Sequence, residues 1–268
     1  KGKPNPKYTM KPVAERLSEL LGDVDVLCPE DCVGDAVKKL ANEMLPGQVM
    51  LLENLRFHAE EEANDEGFSK QLASLADVYV NDAFGTAHRA HASTAGMVPF
   101  VPVKGAGFRM RAEVEALSKL LKNPARPFVA VLGGAKVSDK LGVVENLMNI
   151  CDRLLIGGGM AYTFLKAKGA SIGNSLVEEE KLHAARRILE RAETRGIEIM
   201  LPLDHIVASA CDAQAVPQET DGQNIPDGMM GLDIGPQTIS KFASAIAKAK
   251  TIFWNGPMGV FELAPFAQ

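Results

Sequence analysis

The chain has 268 residues, 46% of them hydrophobic and 24% charged, and its formal net charge is −5 at pH 7. This length favours two domains, at roughly 100–200 residues for each domain. Acidic and basic residues are interspersed, which argues against a duplex nucleic-acid surface and against a polybasic membrane anchor. No apolar run approaches the roughly 18–20 residues that span a bilayer, so we expect a cytosolic protein that acts on small molecules.

The first part of the chain alternates short apolar runs with longer stretches of helical period. This alternation is typical of βαβ units with a parallel sheet. The predicted strands cover residues 25–28, 49–52 and 78–81, and the predicted helices cover residues 11–21, 32–43 and 67–75.

A helix predicted at residues 110–121 differs from the others by its surroundings. Gly105 and Gly107 precede it, and Pro124 and Pro127 follow it. Glycine before a helix and proline after it mark boundaries, so we interpret this helix as the connection between two lobes. The predicted division is an N-terminal lobe at 1–105, a connecting helix at 106–123 and a second lobe at 124–268.

The second part of the chain repeats the alternation. In both parts, nearly all the predicted strands are continuous apolar runs, as expected when helices cover both faces of a parallel sheet. The predicted fold class is therefore α/β, with two doubly wound lobes. The predicted strands cover residues 128–132, 154–156, 197–201 and 251–254, and the predicted helices cover 138–150, 161–168, 179–195 and 236–248.

The four cysteines predict no special chemistry. Cys28 and Cys32 have a short spacing, but no second ligand pair at zinc spacing accompanies them. We therefore predict reduced thiols and no protein-bound metal.

The segment 131–140 combines a buried strand, two glycines and a helix start, and it reads Val-Leu-Gly-Gly-Ala-Lys-Val-Ser-Asp-Lys. Free N–H groups at a helix start, here predicted to be capped near Ser138, favour an anion. Lys136 and Lys140 add two positive charges suited to phosphate. Taken alone, the segment is better explained as two solvated lysines at a helix start, and it lacks the spacing of a P-loop.

The segment 154–162 is a second strand that ends in glycines, and it reads Leu-Leu-Ile-Gly-Gly-Gly-Met-Ala-Tyr. Glycines allow a flat ligand to approach the backbone closely. In a dinucleotide-binding fingerprint a third spaced glycine is required, and Tyr162 replaces it here, which disfavours a dinucleotide-dependent oxidoreductase. A plain tight turn is the alternative interpretation.

A third strand, at 251–254, ends in the turn Asn255-Gly256-Pro257, and Glu262 follows within a short loop. A carboxylate there can accept hydrogen bonds from a ribose diol. Trp254, the only tryptophan, has the alternative role of a core residue. Because ligands of open α/β sheets bind at the carboxyl ends of strands, the three segments predict one site.

The N-terminal part carries two arginines after predicted strands, Arg56 in Glu-Asn-Leu-Arg-Phe-His and Arg89 in Asp-Ala-Phe-Gly-Thr-Ala-His-Arg-Ala-His. Guanidinium groups suit carboxylates and phosphates, so neighbouring strand ends here predict an anionic substrate. Surface salt bridges are the alternative. His58, His88 and His91 show no metal pattern and are predicted to make local hydrogen bonds.

Together with Gly-Leu-Asp-Ile-Gly-Pro at 231–236, these segments resemble the signatures of the phosphoglycerate kinase family, in the family's order and along nearly the whole chain. The resemblance implies a glycolytic kinase in which one lobe binds 3-phosphoglycerate or 1,3-bisphosphoglycerate and the other binds MgADP or MgATP. It also implies a hinge at the connecting helix and a monomer without nucleic-acid or membrane partners.

Site residues follow from the resemblance by position in the motifs. Arg56 and Arg89 are implied to bind phosphoglycerate, and Lys136 to stabilise the phosphoryl group during transfer. The implied nucleotide site, with Lys140 near the phosphates and Glu262 at the ribose, comprises Lys140, Gly158, Gly159, Gly231, Asn255, Pro257 and Glu262.

The resemblance covers the central portion of the family. The family's early Asp-x-Asn loop and His-x-x-Arg motif, and its later glycine-rich loop with a magnesium-binding aspartate, have no counterpart in the 268 residues. Both lobes are therefore expected to be incomplete, with exposed sheet edges and low stability. An inactive fragment that binds only nucleotide or a partner is the alternative function.

Overall fold

The computed structural model describes residues 2–267. These residues form two compact units, the first ending at Leu117 and the second beginning at Ser118. The division falls within a single helix, Phe108–Lys122. Within residues 2–267, no helix is long and apolar enough to cross a membrane.

Parallel strand pairs and helices alternate in the first unit. Strand β1 (Val26–Leu27) pairs with β2 (Val49–Met50), and β3 (Val78–Asn81) pairs with β4 (Val103–Ala106), both in parallel. The helices are α1 (Lys11–Leu21), α2 (Asp35–Glu43), α3 (Ala59–Ala63) and α4 (Glu66–Ala73), and α5 is the helix Phe108–Lys122. Strand β4 and helix α3 were not predicted from the sequence.

The core of the first unit is small. Cys32, Phe68, Leu72 and Ala92 form its buried cluster. The expectation that helices cover both faces of the strands is wrong for β3. Its Val78 is 54% exposed, since alternate residues of this strand face away from the described packing partners.

The second unit contains a four-stranded parallel sheet, as predicted. Its strands are β5 (Phe128–Leu132), β6 (Arg153–Ile156), β7 (Glu198–Met200) and β11 (Thr251–Asn255), in the order β11-β5-β6-β7. The helices are α6 (Leu141–Leu147), α7 (Gly159–Ala167), α8 (Leu182–Thr194) and α9 (Pro236–Ala247). The α/β class with parallel sheets is confirmed.

A second, three-stranded sheet was not predicted. It consists of β8 (His205–Ala208), β9 (Gln218–Glu219) and β10 (Met230–Ile234), in the antiparallel order β10-β8-β9. Polar residues interrupt these strands, and the pairing of β10 with β8 shifts register between Gly231 and Asp233. The alternation that identifies a half-buried strand is therefore missing from the sequence.

Strand β5 organises the core of the second unit. All its residues are buried, as its continuous apolar run predicts. Phe128, Ala130 and Leu132 face one hydrophobic cluster, which includes residues of α7 and α8, whereas Val129 and Val131 face another, which includes Phe242 of α9. Helices on both faces thus fix the sheet whose carboxyl ends carry the candidate site.

The prediction that Ser138 caps the following helix is wrong. Helix α6 begins at Leu141, three residues later, and its N-cap residue Lys140 makes no side-chain capping bond. Ser138 instead donates from its N–H and its hydroxyl to Glu178, at 2.9 and 2.5 Å. Residues 135–140 therefore form a turn that precedes the helix rather than its first turn.

Candidate functional site

Three turns meet at the carboxyl end of the parallel sheet in the second unit. They follow the adjacent strands β11, β5 and β6. The N–H of Gly133 donates to the carbonyl of Asn255 at 3.0 Å, and the N–H of Gly134 donates to the carbonyl of Pro257 at 3.0 Å. Main-chain hydrogen bonds therefore join two of the predicted motifs directly.

Gly158 brings the third turn into the same assembly. Its φ is 65°, and a Cβ atom there would lie 2.6 Å from the Gly134 nitrogen. Its N–H donates to the carbonyl of Met258 at 2.8 Å. Any larger residue would force the turns apart, so this glycine is required by close packing rather than by turn geometry alone.

A largely apolar cavity of about 620 Å³ opens beside these turns. Its volume falls within the ~300–1,000 Å³ typical of small-molecule sites. The predicted residues Gly158, Gly159, Gly231, Pro257 and Glu262 all line it. The remaining lining residues include Gly134, Ala135, Tyr162, Asn174, Leu176, Cys211, Met230, Leu232, Gly259 and Val260.

Gly231 and Tyr162 form one wall of this cavity. A Cβ atom on Gly231 would overlap the Tyr162 ring and hydroxyl. The Gly231 N–H donates to Ser175 Oγ at 2.9 Å. Sequence reasoning identified Gly231 only through a family resemblance and treated Tyr162 as a missing glycine, because their contact joins separate segments of the chain.

Lys140 does not line the cavity but holds its edge together. Its Nζ donates to the Gly133 carbonyl at 2.6 Å, to the Asn255 carbonyl at 3.0 Å and to Asn255 Oδ1 at 2.6 Å. Burial lowers the pKa of Lys140, an effect that the charge of Asp139 partly opposes. Lys140 and Asn255, predicted as nucleotide residues, therefore meet each other at the ends of β5 and β11.

Lys136 is exposed in the turn after β5. Its charge acts on Glu178, the residue that accepts from Ser138. Burial raises the pKa of Glu178, but hydrogen bonds from Ser138 and Val137 and the charge of Lys136 outweigh burial and lower it. Sequence reasoning missed Glu178, which carries no motif and follows Lys136 by about forty residues.

Trp254 is 57% exposed on β11, an edge strand, so its alternative role as a core residue is wrong. Its Nε1 donates to the Gly256 carbonyl at 2.8 Å. The indole therefore reinforces the Asn-Gly-Pro turn from its outer side.

In the first unit, Arg56 and Arg89 follow β2 and β3. We expected the two arginines to follow neighbouring strands. Within residues 2–267, however, β2 and β3 belong to different two-stranded sheets and are not hydrogen-bonded to each other. Arg56 lies with its Nε 3.6 Å from Glu62 Oε1, in a half-exposed pair. Their role in binding an anion remains a prediction.

Glu53, directly before the Arg56 turn, is a buried carboxylate that sequence reasoning missed. It is 6% exposed and accepts hydrogen bonds from Thr9 Oγ1 at 2.5 Å and from the Met10 and Asn54 N–H groups at 2.7 Å. Burial raises its pKa, but these hydrogen bonds and the charge of Lys11 outweigh burial and lower it. Glu53 thus joins the start of α1 to the turn that carries Arg56.

His58 makes a local polar contact, as predicted, with its Nε2 2.6 Å from Asp31 Oδ1. Donor atoms of Asp31, Cys32 and His58 all lie within 4.8 Å of one another, a grouping that the sequence spacing did not predict. Burial raises the pKa of the Cys32 thiol to about 12, and the charge of Asp31 adds to the rise. The Asp31–His58 contact accounts for the close approach of these two side chains.

Comparison with known proteins agrees with this arrangement. The family model described as phosphoglycerate kinase matches residues 1–268. A phosphoglycerate kinase of Anaeromyxobacter sp. (strain K) is 59% identical over 270 residues, which cover the whole chain and 68% of that relative. One from Koribacter versatilis (strain Ellin345) is 54% identical over 274 residues, with the same coverage.

Solved structures lead to the same family. The chain is similar to the phosphoglycerate kinase of Coxiella burnetii with a TM-score of 0.79 and 41% identity, covering 100% of this chain and 67% of that one. For the phosphoglycerate kinase of Pyrococcus horikoshii OT3 the TM-score is 0.83 and the identity 33%, covering 99% of this chain and 69% of that one. With a family model matched along its whole length, the chain belongs to the phosphoglycerate kinase family.

Proposed function

We propose that this protein transfers a phosphoryl group reversibly between 1,3-bisphosphoglycerate and ADP, giving 3-phosphoglycerate and ATP. The observation that carries the proposal is the cavity of about 620 Å³ at the carboxyl ends of the parallel strands. Five residues that the motifs assign to the nucleotide line this one cavity, although they come from three separate segments.

The cavity suits a nucleoside and its phosphates. Its lining is mainly glycine and apolar side chains, which can contact both faces of a flat base. Gly134 and Gly158 give the phosphates close access to main-chain groups at the strand ends. Glu262 supplies the carboxylate that we assign to the ribose hydroxyls.

The two lysines receive different roles. Lys136 is exposed in the turn and available to an incoming phosphoryl group, so we assign it to the transition state. The three donors of Lys140 already meet protein oxygens, which supports a role in holding the nucleotide-binding turns in place. Asn255 shares that role as the acceptor.

The chemistry needs no protein nucleophile. Phosphoryl transfer through a loose transition state depends on in-line positioning and charge neutralisation. Arg56 and Arg89 are assigned to the carboxylate and phosphate of phosphoglycerate, because guanidinium groups match both. To bind the substrate, Arg56 would have to give up its ion pair with the half-exposed Glu62. This loss would cost little binding free energy, since such exposed pairs contribute at most about 1 kcal/mol.

We assign magnesium to the substrate, as MgADP or MgATP. Among the described residues that line the cavity, Glu262 is the only carboxylate. Magnesium commonly keeps several waters and binds substrate phosphates together with one or two carboxylates. The nucleotide phosphates are therefore the principal ligands that this proposal gives to the ion.

The division into residues 1–105, 106–123 and 124–268, a hinge at the connecting helix, a cytoplasmic location and a monomeric state belong to the same proposal. They rest on the family to which the chain belongs. Size-exclusion chromatography with light scattering tests the monomer directly, and a dimer would overturn that part alone.

A coupled assay of ATP-dependent phosphorylation of 3-phosphoglycerate tests the proposal, on protein of determined intact mass. We expect turnover that requires both 3-phosphoglycerate and magnesium. Titration with ADP on the same sample separates the alternative function. Nucleotide binding without turnover would support a fragment that only binds, and an absence of both would overturn the proposal.

A further inference from the structure

Glu61 is a buried carboxylate that connects the two segments carrying the candidate substrate arginines. It lies on α3, the helix that follows the Arg56 turn, and is 4% exposed. Its Oε2 accepts from the Ser93 N–H at 3.0 Å, and its Oε1 accepts from the Ser93 hydroxyl at 2.5 Å. Ser93 follows Arg89 closely in the chain. One carboxylate therefore joins the Arg56 segment to the Arg89 segment.

Ser93 is held from a second side by Tyr79. The Tyr79 hydroxyl donates to the Ser93 carbonyl at 3.0 Å, and Tyr79 lies on β3, the strand that leads towards Arg89. Ser93 belongs to a π-helical turn, Ala92–Gly96. Helical turns of this type are rare and frequently occur at functional sites. The N–H, hydroxyl and carbonyl of Ser93 are thus all used to fix this turn against α3 and β3.

Thr94 extends the connection to the main chain of Arg89. Its Oγ1 donates to the Arg89 carbonyl at 2.6 Å and accepts from the His91 N–H at 3.1 Å. The Arg89 N–H donates to the Thr86 carbonyl at 2.9 Å. Because both main-chain groups of Arg89 are bonded, a displacement of the π-helical turn at Ser93 would move the Arg89 backbone with it.

The choice of a carboxylate at this buried position indicates a positional requirement. Burying a carboxylate costs free energy unless hydrogen bonds satisfy it, and apolar side chains often fill such places with equal or greater stability. An apolar side chain, however, fixes neither a distance nor a direction, whereas the two donors of Ser93 each reach one oxygen of Glu61. His91 Nδ1 lies 3.8 Å from Glu61 Oε1, too far for a hydrogen bond. The contact with Ser93 is therefore the one that orients the carboxylate.

We propose that Glu61 is a positioning residue for the phosphoglycerate site, which holds the Arg89 turn in place against the helix that follows Arg56. This inference rests on the proposed function, since it requires both arginines to bind 3-phosphoglycerate. That substrate has a carboxylate at one end and a phosphate at the other, so it needs cations at a fixed separation. Glu61 is buried and acts through Ser93 rather than by touching the substrate.

Calorimetric titration of 3-phosphoglycerate into the unmodified protein and into Glu61→Gln tests the inference. Glutamine keeps the size of the side chain, but its NH2 group cannot accept, so one of the two Ser93 donors loses its partner. We expect a Kd for 3-phosphoglycerate about 10-fold higher, because a misplaced arginine loses part of its contact with the anion. Glu60→Gln, at an exposed position on α3, is the matched control and should leave this Kd unchanged. The Kd for ADP should be the same in all three proteins, since its proposed site lies in the second unit.

A second variant and a measurement of folding distinguish positioning from stability alone. Unfolding by itself could raise the Kd 10-fold only if about nine-tenths of the protein were unfolded, which circular dichroism at the titration temperature would detect. Ser93→Ala removes the hydroxyl and keeps the N–H bond to Glu61, so it decides the question if Glu61→Gln does not fold. We expect Ser93→Ala to raise the Kd about 3–10-fold, the equivalent of one net hydrogen bond. Combining both changes should raise the Kd by less than the product of the two factors, because both act on one contact.

The outcomes separate this inference from the function on which it rests. Equal Kd values for 3-phosphoglycerate in the unmodified protein, Glu61→Gln and Ser93→Ala would overturn the positioning role and leave the proposed function intact. A parallel loss of ADP affinity in Glu61→Gln would also overturn that role, because the effect would then extend beyond the phosphoglycerate site. No binding of 3-phosphoglycerate to the unmodified protein would overturn the proposed function, and the inference with it.

Discussion

The Lys140 ammonium group bridges two strand ends through Asn255. Its Nζ lies 2.6 Å from Asn255 Oδ1 and 3.0 Å from the Asn255 carbonyl oxygen, and it also lies 2.6 Å from the Gly133 carbonyl oxygen. A lysine has three N–H donors, and each finds an oxygen here. Hydrogen bonds from the Lys140 ammonium group therefore link the ends of β5 and β11. The turns that line the nucleotide cavity begin at these two strand ends.

Replacing Lys140 by Met should lower the stability of the second unit. The methionine keeps most of the aliphatic length but removes the donor from the Gly133 carbonyl and from Asn255 Oδ1, while the Asn255 carbonyl keeps the Gly133 N–H. We expect a cost of about 1–3 kcal/mol in the free energy of unfolding. Urea denaturation followed by circular dichroism measures the loss. Lys136→Met is the matched control, since its exposed ammonium should contribute almost nothing to stability. Equal urea midpoints for the unmodified protein, Lys140→Met and Lys136→Met would show that the hydrogen bonds of Lys140 do not stabilise the fold.

Replacing Lys136 by Ala should affect turnover rather than binding. An interaction made only in the transition state lowers kcat without weakening the ground-state complex. We expect kcat to fall by about 10²–10³-fold, as when one donor to a developing charge is removed. The Kd for ADP, measured by calorimetry, should stay within about 2-fold.

Lys241→Ala provides the control for Lys136→Ala, because it removes an exposed lysine on α9. It should leave both kcat and Kd unchanged. Parallel losses of kcat and ADP affinity in Lys136→Ala would assign Lys136 to ground-state binding instead.

The sequence predicted those parts of the fold whose apolar pattern is set by two-sided packing. The five residues of β5 form an uninterrupted apolar run because helices cover both faces of the strand. Helix α1 begins at Lys11 and ends at Leu21, as predicted from its helical period. Local patterns of this kind do not depend on which distant segment becomes the neighbour.

The missed features depend on contacts between distant segments. The sequence predicted Lys140 and Asn255 for one site but not the hydrogen bond between them, since the two residues are 115 positions apart. The strands β8 and β10 contain His205 and Asp233, polar residues whose burial only the folded structure explains. Tyr162 likewise fits at the cavity wall only because Gly231, in a distant segment, leaves it space.

Replacing Glu53 by Gln should weaken the first unit and reduce its acid sensitivity. The lowered pKa of the folded state means that this carboxylate stabilises the protein above the unfolded value of about 4.3. That stabilisation is lost as the pH falls through the lowered pKa. At pH 7 we expect Glu53→Gln to cost about 1–3 kcal/mol, because an amide satisfies fewer donors than a carboxylate does.

Urea unfolding of Glu53→Gln and of the unmodified protein, between pH 3 and pH 7, measures this difference. The gap in unfolding free energy should narrow towards pH 3. Glu60→Gln, which changes an exposed glutamate on α3, should follow the unmodified protein throughout. A gap that stays constant with pH would mean that the Glu53 charge is not the source of its stabilisation.

Replacing His205 by Phe should make the protein more resistant to acid. His205 is fully buried on β8; its Nε2 lies 3.2 Å from the Gln223 carbonyl oxygen and therefore donates to it, while no atom within residues 2–267 pairs with Nδ1. Burial lowers the pKa of His205 to about 4, although the Gln223 carbonyl and the charge of Asp204 oppose the shift. The folded chain therefore keeps a neutral imidazole where the unfolded chain, with a pKa of about 6.5, takes up a proton.

The sign of the effect follows from proton binding. Between about pH 6.5 and pH 4 the unfolded state binds the extra proton, so folded stability falls by up to about 1.4 kcal/mol for each pH unit. Phenylalanine cannot titrate, and its ring keeps the packing against Tyr162. At pH 7.5 we expect the variant to lose about 1 kcal/mol with the Gln223 hydrogen bond, and at pH 4 we expect it to be the more stable protein.

His183→Gln, at an exposed position on α8, should leave the pH profile unchanged. Parallel profiles of unfolding free energy against pH for His205→Phe and the unmodified protein would show that His205 is not the group that makes folding acid-sensitive in this range.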